Sequence, residues 1–250
     1  MKPVLPRPAT VDGLFVWVLH RFAEVFEQHA IVKGGIALRL FDCPRSTTDL
    51  DYVFVPFTSK KTVASRLRAT LAEIEDAVVE VQVHSKIIRA QLRVDAAAIQ
   101  IEANVDIACP SMAVPTASFA LRQGQPSRLV RVIAPDRALA SKLAAWNERR
   151  LLRELYDVYY LGVRLGAVPD VQELQRRLRH VDSRLPALRR RKTMSLEQFV
   201  DELRGAAAAI DEVAVRNELA PVLPADEVEG LVPRLRGGTQ KVIELLERAR

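Results

Sequence analysis

The chain has 250 residues, 49% of them hydrophobic and 27% charged, enough for one large domain or two small ones with real cores. Its net charge of +6 and pI near 9.6 suit an acidic partner: a nucleotide, an RNA or an acidic protein. Mean hydropathy is near zero, and no apolar run reaches the roughly 18 residues of a membrane span.

Residues 1–9 carry three prolines and no apolar core, so no signal peptide is expected. Cys43 and Cys109 make neither a disulfide framework nor a zinc site. A soluble, cytoplasmic protein with reduced thiols and no membrane partner is expected. Residues 10–29 read as an amphipathic helix, with Leu14, Trp17, Val18, Phe22, Val25 and Phe26 near helical spacing. Ile31–Val32 run into Gly34–Gly35, residues 36–41 look helical, and Asp42–Cys43–Pro44 breaks that helix. Residues 48–55 alternate and are rich in β-formers, which predicts a strand. Residues 59–76 fit a helix, capped by Thr58 or Ser59. Three further strands are expected within 79–83, 87–94 and 99–107, and a short one at 128–133. Pro135 suits a first helical position, and one long helix is expected to run to about Leu161. Residues 162–169 read as a linker. Asp170 with Glu173, and Ser195 with Gln198, resemble capping boxes. The last helix is expected over residues 239–250. The architecture is therefore α/β (α+β): a mixed half with a short sheet, then a helical half, with domains at 1–132 and 133–250.

The most informative stretch is Val32 to Val55. Alternate strand residues share a face, so Asp49 and Asp51 point one way while Leu50 and Tyr52 point the other, toward packing. Two carboxylates on one face suit a magnesium ion, which is held by a few carboxylates plus substrate phosphate oxygens. Gly34 and Gly35 let the backbone approach a phosphate closely at the start of a helix. A glycine pair alone is usually a turn, and Asp-x-Asp alone is usually a solvated edge. Together and in this order they describe a triphosphate–metal site.

Gly34–Gly35 followed by Asp49–Leu50–Asp51 resembles the signature of the DNA polymerase β-like nucleotidyltransferase superfamily. The fuller string, Lys33–Gly34–Gly35–Ile36–Ala37–Leu38–Arg39–Leu40 with Arg45–Ser46–Thr47–Thr48–Asp49–Leu50–Asp51, is similar to the AbiEii/AbiGii toxin family, which includes the MenT toxins of type IV-like toxin–antitoxin systems. The resemblance implies a nucleotidyltransferase fold followed by a helical bundle. It also implies an NTP substrate, Mg2+ (or Mn2+) on Asp49 and Asp51, and nucleotide binding by Gly34, Gly35 and Thr48. A third acid is expected on a neighbouring strand, with Glu102 and Asp106 as candidates and Glu102 in the matching context.

A second string, from Lys142–Leu143–Ala144–Ala145 through Arg149 to Arg153–Glu154–Leu155–Tyr156–Asp157, resembles another motif of that family. Glu154 stands where the family has aspartate, so no catalytic role is carried over to it. Lys142, Arg149, Arg153 and Asp157 can lie near one helix face. The resemblance implies that Lys142 neutralises the triphosphate and that Asp157 orients that lysine or an arginine, or activates the acceptor; the bland reading is a surface helix with ion pairs.

Farther on, Arg176, Arg177, Arg179, Arg184, Arg189, Arg190, Arg191 and Lys192 form a basic segment, either a solvated face or an RNA-backbone track. The four histidines show no pairing at metal-ligand spacing. The expected reaction moves a nucleoside monophosphate from an NTP to an acceptor hydroxyl. The family resemblance favours the 3′ end of tRNA, blocking translation, with a cognate antitoxin as neutralising partner. The rivals are a transferase acting on a protein or small molecule, and a degenerate fold that only binds RNA or protein.

Overall fold

Thr10 opens the first helix, α1 (Val11–Phe26), by accepting the Gly13 amide on its hydroxyl at 2.9 Å, which satisfies a donor that has no partner within the helix. The structure is a computed structural model and describes residues 6–186 and 188–249. Part of the proline-bearing start (residues 1–5) and Arg250, where the last helix was expected to end, lie outside the described residues. The chain divides into two compact units, Met1–Ile133 and Ala134–Arg250.

After α1 the first unit contains β1 (Ala30–Lys33), α2 (Gly34–Arg39), β2 (Asp49–Phe54), α3 (Lys60–Leu71), β3 (Val78–Val83), β4 (Ile88–Val94), β5 (Ala97–Val105), β6 (Ser111–Pro115), α4 (Ala117–Leu121) and β7 (Leu129–Ile133). The strands form one mixed sheet in the order β3-β4-β5-β2-β1-β7-β6. Pairs β1–β7 and β2–β5 are parallel, and the rest antiparallel. Phe22 and Phe26 of α1 pack on Tyr52 and Phe54 of β2, with ring centroids 4.6 Å apart for Phe26–Phe54 and 5.1 Å for Phe22–Tyr52. Leu50, Tyr52 and Phe54 are therefore buried, and strand alternation turns Asp49 and Asp51 to the opposite face.

In this unit β6 and α4 were not expected from the sequence. Strand β6 pairs only with β7, and Pro115 closes it. A strand with proline at its end and exposed Met112 and Ala113 carries little apolar alternation, and only an edge position tolerates it.

The second unit is helical: α5 (Pro135–Arg149), α6 (Leu152–Tyr159), a π-helical turn (Tyr160–Arg164), α7 (Val171–Leu178), α8 (Leu196–Ala209), α9 (Glu212–Glu218), α10 (Ala225–Val228) and α11 (Leu231–Arg248). The single helix expected from Pro135 to Leu161 is two. Arg150, at φ 56°, ends α5 in the left-handed region. Its guanidinium lies 4.3 Å from the Trp146 ring centroid and bonds Asn147 and Glu202. Glu218 of α9 then accepts the Leu152 amide at 2.8 Å, capping α6 from a distant part of the chain. Gly162 belongs to a helix crossing and not to a linker. A Cβ there would sit 2.5 Å from Val242 of α11, and one at Gly238 2.4 Å from Tyr159. The last helix accordingly begins at Leu231, eight residues before the expected 239. Ser195 and Gln198 form the full capping box at α8. Asp170 caps α7 through the Glu173 amide, while the Glu173 carboxylate turns to Arg176 and Arg137.

Candidate active site

The turn from β1 into α2 is built around Gly34. Its φ is +72°, and a Cβ there would lie 2.0 Å from Oδ2 of Asp51. Backbone conformation and close approach thus each demand glycine. Gly35 is crowded in the same way. A Cβ would meet Thr47 Oγ1 at 2.7 Å and the Arg45 guanidinium at 3.1 Å. The Asp51 side chain therefore rests directly on the turn. Helix α2 is only six residues long, so the turn offers a phosphate close backbone approach more than a macrodipole.

Strand register sets the neighbours. Lys33 on β1 lies opposite Asp51 on β2. Asp51 lies beside Glu102 on β5, and Glu102 opposite Arg89 on β4. A row of four charged residues, cationic at both ends and acidic in the middle, thus crosses four strands on the face away from α1. Asp49 is exposed, Asp51 and Lys33 half-buried. Glu102 is occupied: its Oε1 accepts from Arg89 Nη2 at 2.8 Å and from Gln100 Nε2 at 3.1 Å. Asp106, the other candidate third acid, follows the last residue of β5, and its carboxylate accepts the Ile107 amide at 2.7 Å. Among the described residues no three His, Cys, Asp or Glu side chains come together to hold a metal. Asp49 and Asp51 remain a two-carboxylate oxygen set beside a glycine turn. That donor chemistry fits a hard divalent cation that completes its shell with phosphate oxygens and water.

Thr48, expected to bind nucleotide, is exposed in the bend before β2. Its neighbour Thr47 is the threonine packed against Gly35. Arg45 was named in the motif without a role. It is only 8% exposed, and its Nη1 donates to the Ser46 carbonyl at 3.1 Å. A buried arginine flanking a glycine turn can only be recognised once the turn is folded.

In the second unit, Lys142 Nζ lies 2.6 Å from Asp157 Oδ2 and 3.1 Å from Glu154 Oε2, and Arg149 reaches Glu154 Oε1 at 3.1 Å. Asp157 is fully buried and Glu154 nearly so. Glu154, given no role from sequence, is the centre of this cluster. Its extra methylene relative to aspartate lets it bridge Lys142 and Arg149. Arg153 departs from the expected common face: it lies on α6, exposed, beyond the break that separates it from Lys142 and Arg149.

A family model described as "Nucleotidyl transferase AbiEii toxin, Type IV TA system" matches residues 17–234. No curated protein matches the chain by sequence. Among solved structures, the MenT4 nucleotidyltransferase toxin of Mycobacterium tuberculosis H37Rv is similar with a TM-score of 0.61 at 16% identity, over 93% of this chain and 82% of that one. JHP933 from Helicobacter pylori is similar with a TM-score of 0.53 at 14% identity, over 96% and 93%. At such identities these two likenesses speak for the fold. The family match spans most of the chain, both units included, and the protein belongs to the AbiEii nucleotidyltransferase toxin family of type IV toxin–antitoxin systems.

Proposed function

We propose that this protein transfers a nucleoside monophosphate from an NTP to an acceptor hydroxyl, releasing pyrophosphate, and that the acceptor is the 3′ end of tRNA. The observation that carries the transfer reading is the Gly34 turn against which Asp51 packs, with Asp49 two residues away on the same strand face. Gly34 and Gly35 admit the phosphates to the backbone. Asp49 and Asp51 would hold Mg2+ or Mn2+, which when bound offsets the charge of the triphosphate. Thr48 stands beside Asp49 as a nucleotide contact. Glu102, as a third acid, would have to exchange its bond from Arg89 for the site, so its role is secondary.

Lys142 is assigned separately, from the family motif, as a phosphate-neutralising charge, with Asp157 and Glu154 fixing its position. Modification of the tRNA end would block aminoacylation and stop translation, which places the reaction in the cytoplasm. Among the described residues no helix is long and apolar enough to cross a membrane. A cognate antitoxin, expected of a type IV system, would hold the enzyme in check.

The test is incorporation. Purified protein is incubated with Mg2+, total tRNA and each α-labelled NTP in turn, beside Asp49→Ala. Label on tRNA, with one nucleotide preferred and the signal reduced about 10²–10³-fold in the variant, is the expected result. Undiminished labelling by Asp49→Ala would overturn the site. Label on a protein or small molecule would keep the transfer and replace the acceptor.

A further inference from the structure

The loop between α7 and α8 concentrates cations that the proposed transfer chemistry does not use. Its base is closed: the Val181 amide donates to the Lys192 carbonyl and the Met194 amide to the Leu178 carbonyl, both at 2.9 Å. Within it, the Arg189 amide donates to Leu185 at 2.8 Å and the Arg191 amide to Leu188 at 2.9 Å. Ser183 Oγ ties the loop to α5 through the Glu148 carbonyl at 2.6 Å. The loop is thus closed by its own backbone bonds and anchored to α5.

Seven of the eight cations in the basic segment fall into two groups. Arg176, Arg177 and Arg191 pair with Glu173, Glu148 and Glu202. Arg184, Arg189, Arg190 and Lys192, with Pro186, line a cavity of about 680 Å³. No acid lies among these lining residues. None of the four cations has a side-chain ion pair or hydrogen bond within the described residues. Like charges gathered round one cavity repel one another, and a polyanion relieves that repulsion.

We propose that this cavity is a binding site for the phosphodiester backbone of the RNA acceptor. The inference rests on the reading of the acceptor as tRNA and adds where the chain grips it. Guanidinium forks match phosphate oxygens in paired hydrogen bonds. No aromatic lines the cavity, so the contact is to backbone and carries no base stacking. Among the described residues of the loop no large apolar side chain is exposed, which favours a polyanion over the apolar anchoring of a protein interface or a membrane-binding surface.

The experiment measures tRNA binding by the full chain over a series of salt concentrations, beside Arg189→Glu/Arg190→Glu. Each phosphate contact contributes about 0.7 to 0.9 to the slope of log affinity against log salt. The double variant is expected to bind tRNA at least ~10-fold more weakly at low salt, with a slope shallower by about 1.5. Its stabilisation by NTP and Mg2+ should equal that of the wild type. Should charge reversal impair folding, Arg184→Gln/Lys192→Gln carries the same test without reversal. Wild-type affinity and slope in a folded variant would overturn this site and leave the acceptor reading standing. A wild-type protein that binds no tRNA would instead overturn the acceptor reading itself.

Discussion

Gly34 shows how little freedom the turn at the candidate site has. Its φ of +72° costs any L side chain about 1–2 kcal/mol, and the Asp51 carboxylate occupies the space where a Cβ would go. Gly34→Ala should therefore do more than strain the backbone: it must push Asp51 aside. A displacement near 1 Å at a reacting centre costs on the order of 10²-fold in rate. The expected outcome is a loss of nucleotide incorporation of at least that size, with a modest fall in Tm by thermal unfolding. Near-normal turnover would show that Asp51 does not need its present position. Glycine and aspartate at these spacings were legible in the sequence. The packing of Thr47 and buried Arg45 around Gly35 was not, since neither residue announces its burial by pattern.

At the scale of elements, the join of α5 to α6 decides what Lys142 does. A continuous helix would have put Lys142, Arg149, Arg153 and Asp157 on one surface stripe. The break at Arg150 folds α6 back so that Asp157 and Glu154 are buried against Lys142. Removing one partner of a buried ion pair leaves an uncompensated charge, at a cost of about 3 kcal/mol or more. Lys142→Ala should lower unfolding stability by about that amount in urea denaturation, besides any loss of triphosphate use. Lys142→Ala/Asp157→Asn should recover part of it, a coupling of order 1–3 kcal/mol. Unchanged stability in the single variant would mean the two acids are not held by Lys142. The stop signal that ends α5 could not be read locally, because two of the groups that stabilise it, Glu202 at Arg150 and Glu218 at Leu152, arrive only in the folded unit.

For the whole molecule, the response to pH has an identifiable component. His20 on α1 is fully buried, with Nε2 2.9 Å from Thr116 Oγ1 and, among the described residues, no hydrogen-bond partner on Nδ1. Burial, reinforced by nearby Arg128 and opposed by Gln125 and Glu24, pushes its pKa down to about 4. The folded protein therefore keeps His20 neutral where the unfolded chain already binds a proton. Stability should be fully present above about pH 6.5 and decline as pH falls toward about 4. Glu24 acts in a lower window. Although burial opposes it, hydrogen bonds from Arg21 and Arg128 hold its pKa below the ordinary carboxylate range. His20→Asn should flatten the slope of Tm against pH between about 4 and 6.5, and an unchanged slope would assign the loss to other groups.

The strands that carry Asp49, Asp51 and Glu102, the glycine turn, and the change from mixed sheet to helices were all readable from the sequence. Each rests on local rules: alternation along a strand, the conformational freedom of glycine, periodicity of apolar residues. Strand β6, the split of α5 from α6 and the crossing at Gly162 depend on groups far apart in sequence, and so emerged only with the tertiary structure. The same holds for charge. The sequence shows many cations between Arg176 and Lys192, but pairing separates them: three meet carboxylates, while four are left around one cavity. Composition counts charges; only the folded arrangement decides which are neutralised by the protein and which stay available to a ligand.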